Sequence, residues 1–176
     1  IVNSINFINR TVSTSDGEIY TADIIITTIP WLEFKHIIGM PDHIRDSIKE
    51  LKYSSIQTEY NPECMDTEAH WIYYPDLKVP YHRILVRHNF CPNSKGYWTE
   101  TNSERIKDIA DNNHFKYMNR YAYPLNTIKK PEIMDKLLNW SRKHHIYGLG
   151  RWGEHQHYNS DVTVQLAMEL ETAFEG

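Results

Sequence analysis

The chain has 176 residues, a formal net charge of -4 and 12% aromatic residues. This size and apolar content exclude a disordered chain, and the lack of a Lys- and Arg-rich block argues against a nucleic-acid partner. No apolar run reaches the roughly 20 residues of a membrane span, and two cysteines make no disulfide framework, so we expect a cytoplasmic protein.

The first part of the chain has the pattern of an α/β domain. Asp16-Gly17 marks the turn of a hairpin, and Pro41 with Asp42 marks a helix start. The nearly all-apolar, β-branched run at 23–28 is typical of a strand covered on both faces. The predicted elements are a strand at 5–8, a hairpin over 12–20, a strand at 23–28, and helices at 31–38 and 41–51.

Beyond residue 52 the chain changes to short segments rich in Tyr, Trp, Ile and Val, separated by turn formers. These segments predict an antiparallel sheet with one solvated face, followed by two helices. The last helix carries Asp161 where a capping residue is expected. The predicted strands are at 53–60, 70–74, 81–90, 97–101 and 114–123, and the predicted helices are at 104–112, 131–143 and 161–174.

The predicted fold class is therefore α/β with mixed α and β elements. Residues 1–51 and 146–176 are assigned to one α/β domain, and residues 52–145 to a sheet-based insertion between them. The chain begins inside a strand-like segment without Met and ends within a helical pattern. We therefore expect it to be a piece of a longer protein.

A glycine-rich segment near the end, Gly148-Leu-Gly-Arg-Trp-Gly153, formally matches the dinucleotide-binding pattern. That pattern must open directly into a helix and be followed about 20 positions later by an acidic residue at the next strand. Here a polar run intervenes before the helix. The glycines are therefore interpreted as residues of a tight turn.

Histidines cluster near this segment, but we predict no metal site. His144, His145, His155 and His157 lack a nearby cysteine and a His-x-x-x-His pair, so polar or surface histidines are the default interpretation. The two cysteines have no Cys-x-x-Cys spacing, and no Gly-x-Ser-x-Gly elbow is present, which disfavours acyl-transfer hydrolysis.

Arg83 lies in a strand-like stretch with apolar residues at alternate positions. A guanidinium there needs an anionic partner, which is either a bound phosphate or a protein carboxylate such as Glu59 or Glu100. The residues alone slightly favour the protein carboxylate, because structural ion pairs are common.

Several segments, taken together, resemble the flavin-dependent UDP-galactopyranose mutases and their relatives in the FAD-containing amine-oxidase superfamily. The mutases usually carry a tyrosine at the position of His157, with Tyr158 next here, and the family's glycine-rich FAD pyrophosphate loop is not in this chain. The similar segments are 5–8, 12–17, 22–30, Tyr74-Pro75, Pro80-Tyr-His-Arg83, Tyr121-Ala-Tyr-Pro124, and Gly150-Arg-Trp-Gly153 through Asp161.

This resemblance implies an FAD-binding domain with an inserted substrate domain, and FAD as the cofactor of the whole protein. It implies that reduced flavin attacks the anomeric carbon of a nucleotide sugar while arginines and a tyrosine hold the departing diphosphate. The implied catalytic residues are Arg83, Arg151 and Tyr123. The implied substrate-binding residues are Tyr74, Tyr81, His157 and Tyr158. The implied cofactor-binding residues are Ile5, Thr28, Pro30, Gly150, Arg151, Asn159, Ser160 and Asp161.

The function so implied is the interconversion of pyranose and furanose forms of a UDP-galactose-like nucleotide sugar for cell-surface polysaccharide synthesis. The isolated piece is expected to be inactive, and a homo-oligomer stays open. Two alternatives also stay open. One is an FAD-dependent amine oxidase or other oxidoreductase of the same superfamily. The other is a non-catalytic carbohydrate-binding domain with a Tyr- and Trp-rich sheet.

Overall fold

The structure is a computed structural model that describes residues 1–108 and 113–175. The elements in chain order are β1 (Val2–Asn6), β2 (Thr11–Thr14), β3 (Ile19–Thr21), β4 (Ile25–Thr27), a 3-10 turn (Trp31–Glu33), β5 (His36–Ile38), α1 (Asp42–Ile48), β6 (Tyr53–Asn61), β7 (Trp71–Tyr73), β8 (Arg83–Val86), α2 (Arg87–Phe90), β9 (Tyr97–Asn102), a 3-10 helix (Ser103–Asp108), β10 (Lys116–Pro124), α3 (Lys130–Arg142), β11 (Ile146–Gly148), α4 (Gly150–Gly153) and α5 (Ser160–Glu175). Mixed helices and sheets confirm the predicted fold class.

The chain forms two compact units. The α/β unit comprises Ile1–Lys52 and Pro124–Gly176, and the sheet unit comprises Tyr53–Tyr123. The predicted boundary at residue 145 is wrong, because α3 packs against α1 and β11 and so belongs to the α/β unit. The sequence shows that α3 has an apolar face but not which element covers that face.

The α/β unit contains a four-stranded sheet in the order β3-β2-β1-β5 and a separate parallel pair, β11-β4. The predicted hairpin is confirmed: β2 and β3 pair antiparallel, and Gly17 at the turn has φ +90. The core of this unit is a cluster of buried side chains that includes Ile5, Trp31 and Leu137.

Two predictions for the first part of the chain are wrong. Strand β4 is shorter than predicted and is not covered on both faces, since Ile24 and Ile26 are 39% and 48% exposed. The helix predicted at 31–38 is a 3-10 turn followed by β5. Phe34 already has extended backbone angles, and Ile37 pairs with Ile5 of β1 in a parallel register, so strand pairing overrides the local helical pattern.

The sheet unit is a five-stranded sheet in the order β10-β6-β9-β8-β7. Its β6–β9, β7–β8 and β8–β9 pairs are antiparallel, as predicted. The strand predicted at 81–90 ends at Val86, where α2 begins. The helix predicted at 104–112 is a 3-10 helix over its first part, and residues 109–112 lie outside the described residues.

None of the helices in the described ranges has the length and apolar character needed to cross a membrane.

Candidate functional site

The glycine-rich segment after β11 forms a tight turn, as predicted. Gly150 has φ +73, a left-handed conformation that favours glycine. A Cβ at Gly148 would lie 2.2 Å from the carbonyl oxygen of Gly153, and a Cβ at Gly153 would lie 2.3 Å from that of Thr27. Only glycines allow this turn to fold back against the end of β4. The indole Nε1 of Trp31 donates to the Gly153 carbonyl at 2.8 Å and fixes it from the core side.

Arg151 binds the backbone near the end of the polar run that follows the turn. Its Nε and Nη2 donate to the carbonyl oxygen of Tyr158 at 3.2 and 2.8 Å. The carboxylate of Glu154 accepts from the backbone N–H of Gly150 at 3.1 Å, and burial raises the pKa of Glu154 although that bond lowers it. The two ends of the run, the turn and the start of α5, are thereby held to each other.

Two buried side chains, those of Lys130 and His155, connect the same polar run to other parts of the α/β unit. The Lys130 Nζ donates to Asn126 and to the Gln156 side-chain oxygen at 2.6 and 2.9 Å, and burial lowers its pKa. The Nε2 of His155, which is 2% exposed, lies 3.0 Å from the carbonyl oxygen of Lys52. Burial lowers the pKa of His155 as well, so we assign it as a neutral donor.

Helix α5 begins at Ser160, one residue earlier than predicted. The backbone N–H and hydroxyl of Thr163 both donate to the carbonyl oxygen of Asn159 at 3.1 Å. Asp161 therefore lies in the first turn and is not the capping residue, which corrects the sequence prediction. The first backbone N–H groups of a helix have no intrahelical acceptor, and they carry the positive end of the helix dipole.

A cavity of about 480 Å³ opens between the turn and the start of α5, and we call it the loop cavity. Leu149, Trp152 and Val164 give it apolar walls. It gathers the predicted cofactor-binding residues Thr28, Gly150, Arg151, Asn159 and Ser160, together with the predicted substrate-binding residue Tyr158, and Thr163 completes the lining.

The loop cavity does not include the other predicted cofactor-binding residues. Ile5 is fully buried in the core and lines a separate cavity of about 190 Å³, which Thr28 also borders. Pro30 precedes the 3-10 turn at Trp31–Glu33. Asp161 lies on α5 between the cavity residues Ser160 and Thr163 but is not itself part of the lining. The predicted substrate-binding residue His157 is exposed and is not part of the lining.

In the sheet unit, Arg83 pairs with Glu100, which lies directly opposite it on β9. Its Nε and Nη2 lie 2.8 and 2.6 Å from the same Glu100 oxygen, and its Nη1 donates to the Tyr73 hydroxyl at 3.3 Å. Burial acts to lower the pKa of Arg83, but the bonds to Tyr73 and Glu100 outweigh it and raise that pKa above its usual range. The protein-carboxylate alternative is therefore the arrangement found.

The two predicted substrate-binding tyrosines of the sheet unit contact each other. The rings of Tyr74 and Tyr81 meet edge to face with centroids 5.1 Å apart, and the Tyr74 N–H donates to the His82 carbonyl at 2.9 Å. Burial, and then the neighbouring Tyr74, raise the pKa of the Tyr81 phenol. Tyr81 therefore keeps its proton and can donate a hydrogen bond.

A second cavity, of about 300 Å³, lies in the sheet unit, and we call it the sheet-unit cavity. Tyr123 lines it, whereas Arg83 does not. Sequence reasoning missed Arg105 because it lies in a helical segment that carries no motif. It passed over His82, although the Pro80-Tyr-His-Arg83 segment contains it. The lining residues are Ser54, Ile56, Pro80, His82, Asn102, Arg105 and Tyr123.

No protein-family model matches this sequence, and no curated protein matches it. Solved structures do share the fold, among them the following three. The first is a reduced UDP-galactopyranose mutase, with a TM-score of 0.68 and 19% identity over 87% of this chain and 40% of the mutase. The second is a fatty acid isomerase from P. acnes, with a TM-score of 0.66 and 14% identity over 98% of this chain and 47% of the isomerase. The third is a protein from an Exiguobacterium species assigned as a protoporphyrinogen oxidase, with a TM-score of 0.53 and 11% identity over 80% of this chain and 38% of that protein.

A UDP-galactopyranose mutase is among these structures, so the predicted resemblance is confirmed at the level of the fold. The chain spans less than half of each of these structures. At these identities the likeness establishes the fold alone.

Proposed function

We propose that this chain forms the flavin-facing and substrate-binding parts of an FAD-dependent enzyme that interconverts pyranose and furanose forms of a nucleotide sugar for cell-surface polysaccharide synthesis. The loop cavity is the observation that carries the proposal, because it gathers five of the residues that the sequence resemblance assigns to the cofactor. The mutase among the fold neighbours supports the choice of reaction.

The residues of the loop cavity fit a flavin ring. The volume of about 480 Å³ lies in the usual range of roughly 300–1,000 Å³ for small-molecule sites. Leu149, Trp152 and Val164 suit the faces of an aromatic ring system, and the N–H groups that begin α5 suit its electron-rich edge. The left-handed Gly150 brings the turn close to α5, since a Cβ there would lie 3.0 Å from the Thr163 methyl group.

When bound, reduced flavin supplies nucleophilic covalent catalysis at a sugar carbon. The residues of this chain would position the flavin and stabilise the charge that develops on it. Arg151 holds the turn to the polar run through the Tyr158 carbonyl, and the start of α5 offers fixed donors and a positive dipole where electron density accumulates. Lys130 and His155 keep this scaffold rigid from the core side.

On the substrate side we propose Tyr123, Tyr74 and Tyr81 as hydrogen-bonding residues of the sheet unit. Arg83, the other implied diphosphate ligand of this unit, already shares its charge with Glu100. A substrate phosphate would have to compete with that carboxylate for the guanidinium. Arg83 therefore contributes less to substrate binding than the resemblance implies.

An oxidoreductase of the same superfamily is the second candidate. The apolar walls of the loop cavity suit a hydride-transferring flavin equally well, and one fold neighbour is assigned as an oxidase. The two candidates differ in electron balance: a mutase isomerises without net oxidation, whereas an oxidase consumes an electron acceptor in proportion to product.

The test uses two substitutions on exposed positions of α5. Val164→Trp fills the loop cavity, and Val162→Trp is the control on the same helix outside the lining. We expect the whole protein with Val164→Trp to lose flavin and UDP-galactofuranose turnover under reducing conditions, and Val162→Trp to keep both. Equal flavin content in the two variants would contradict the site, and turnover that requires an electron acceptor would contradict the mutase.

A further inference from the structure

The sheet-unit cavity has the polarity of an anion site. Among the described residues its lining contains a guanidinium, an imidazole, hydroxyl groups and an amide, and it contains no carboxylate. A cavity lined in this way favours a ligand with several acceptor oxygens, and a planar guanidinium binds phosphate oxygens in fork geometry.

Arg83 is not the cation of this site. Two of its nitrogens bond to Glu100, a third bonds to Tyr73, and its side chain is absent from the lining. Since Glu100 is only 9% exposed, separating the pair would leave a carboxylate with little access to water, which is unfavourable.

Arg105 differs from Arg83 in that its hydrogen-bond acceptor is a backbone carbonyl and not a carboxylate. Its Nη2 donates to the backbone carbonyl of Leu77, and no carboxylate lies within ion-pair distance of it among the side chains that the structure describes. A backbone carbonyl does not neutralise a guanidinium. Within the part of the chain that the structure describes, Arg105 is therefore the guanidinium that lines the sheet-unit cavity without a carboxylate partner.

Asn102 adds a donor at the same place. Its side-chain oxygen accepts from the backbone N–H of Glu104 at 2.9 Å. The acceptor half of the amide is thus engaged, and the NH₂ group is what Asn102 offers to the cavity. The Tyr123 and Ser54 hydroxyls provide further donors.

The geometry points to an oxyanion site in the sheet unit that binds the diphosphate of a phosphate ester, with Arg105 as its principal cation and Asn102 and Tyr123 as donors. The inference deepens the proposed function in one respect, since it moves the diphosphate contact from Arg83 to Arg105. The site itself does not depend on flavin.

The pKa of His82 can report the binding of an oxyanion at this site in the wild-type protein. Its Nε2 lies 3.7 Å from Glu100, and the charged groups that act on it are Glu100, Arg83 and Arg105. Burial, Arg83 and Arg105 lower the pKa of His82 more than Glu100 raises it. An oxyanion bound in the cavity adds negative charge next to this ring, so it must raise that pKa.

The first experiment measures calorimetric binding of inorganic pyrophosphate and of UDP to this protein and its variants at fixed ionic strength. Arg105→Gln removes one charge-assisted contact and is expected to weaken binding about 10- to 100-fold. The double variant Arg83→Gln/Glu100→Gln removes the pair without leaving an unpaired carboxylate beside His82, and it is expected to change binding less than about threefold. The control, Arg87→Gln, removes the same charge from an arginine whose acceptor is also a backbone carbonyl, that of Lys95, and whose side chain is not in the lining.

Wild-type affinity that persists in Arg105→Gln, or a larger loss in the Arg83→Gln/Glu100→Gln double variant than in Arg105→Gln, would overturn the assignment. Absence of binding for both probes would overturn the site. Tighter binding of UDP than of pyrophosphate identifies a nucleotide ligand, and equal binding identifies the diphosphate alone. Both of these outcomes support the oxyanion site.

The second experiment keeps the oxyanion site testable if Arg105→Gln does not fold. The pKa of His82 is measured by NMR in the wild-type protein, with and without saturating pyrophosphate. A rise supports the site and an unchanged value overturns it. A protein that never binds flavin yet gives these results would refute the proposed enzyme and leave the oxyanion site standing.

Discussion

The Arg83–Glu100 pair allows a quantitative test of the sheet unit. We consider Arg83→Gln, Glu100→Gln and the double variant. The wild-type pair has two short charged hydrogen bonds, and its side chains are 22% and 11% exposed. Charged hydrogen bonds are each worth about 1.5–3 kcal/mol when protected from water, whereas exposed ion pairs are worth about 0.2–1 kcal/mol. For this partly buried pair we expect a coupling free energy of about 2 kcal/mol.

The assay is urea unfolding followed by circular dichroism and tryptophan fluorescence, with coincident transitions required before the free energies of unfolding are compared. The control is the same cycle on Lys129–Glu50, which has a similar 2.7 Å separation but side chains that are 70% and 49% exposed. Its coupling is expected to be much smaller. Equal couplings for the two pairs would refute the view that Glu100 neutralises Arg83 in a protected environment.

Three further predictions concern the α/β unit. Gly153→Ala places a Cβ 2.3 Å from a backbone oxygen and is expected to cost about 3 kcal/mol of unfolding free energy. The control Gly17→Ala meets no atom within 4 Å and is expected to cost about 1 kcal/mol because of its positive φ. Equal losses in the two variants would contradict the close backbone approach at Gly153. Trp31→Phe removes the buried donor to the Gly153 carbonyl and should cost about 2 kcal/mol in the same unfolding assay, and a loss below about 0.5 kcal/mol would show that the bond is unimportant. Because burial lowers the pKa of His155 in the folded state, the unfolded chain binds more protons as pH falls below the usual histidine range, so stability drops there. His155→Gln, which keeps a donor toward Lys52, should reduce that drop in acid titrations of unfolding, and an unchanged pH profile would rule out this origin.

The sequence predicts those parts of the fold that local signals determine. The Asp16-Gly17 turn specifies its hairpin, and alternating apolar residues with Pro- and Asn-rich turns specify the antiparallel sheet. Strand β5 could not be predicted, because residues 36–38 become a strand by pairing with β1. The sequence assigns α3 to the wrong unit, because the apolar face of a helix does not reveal which element covers it.

The residues of the candidate site also fall into two groups, those that local sequence patterns identify and those that only the folded structure identifies. The residues of the loop cavity are close together in sequence apart from Thr28, so motif resemblance finds most of them. The sequence offers a bound phosphate or a carboxylate such as Glu59 or Glu100 as the partner of Arg83, and only the register of β8 against β9 selects Glu100. Arg105 becomes a candidate only when folding brings it beside strands far away in the chain.

The most direct test of the central claim is the visible absorption spectrum of the purified whole protein. The account predicts flavin bands in near-stoichiometric amount. A colourless protein that cannot be reconstituted with FAD would contradict the assignment of the loop cavity to a flavin.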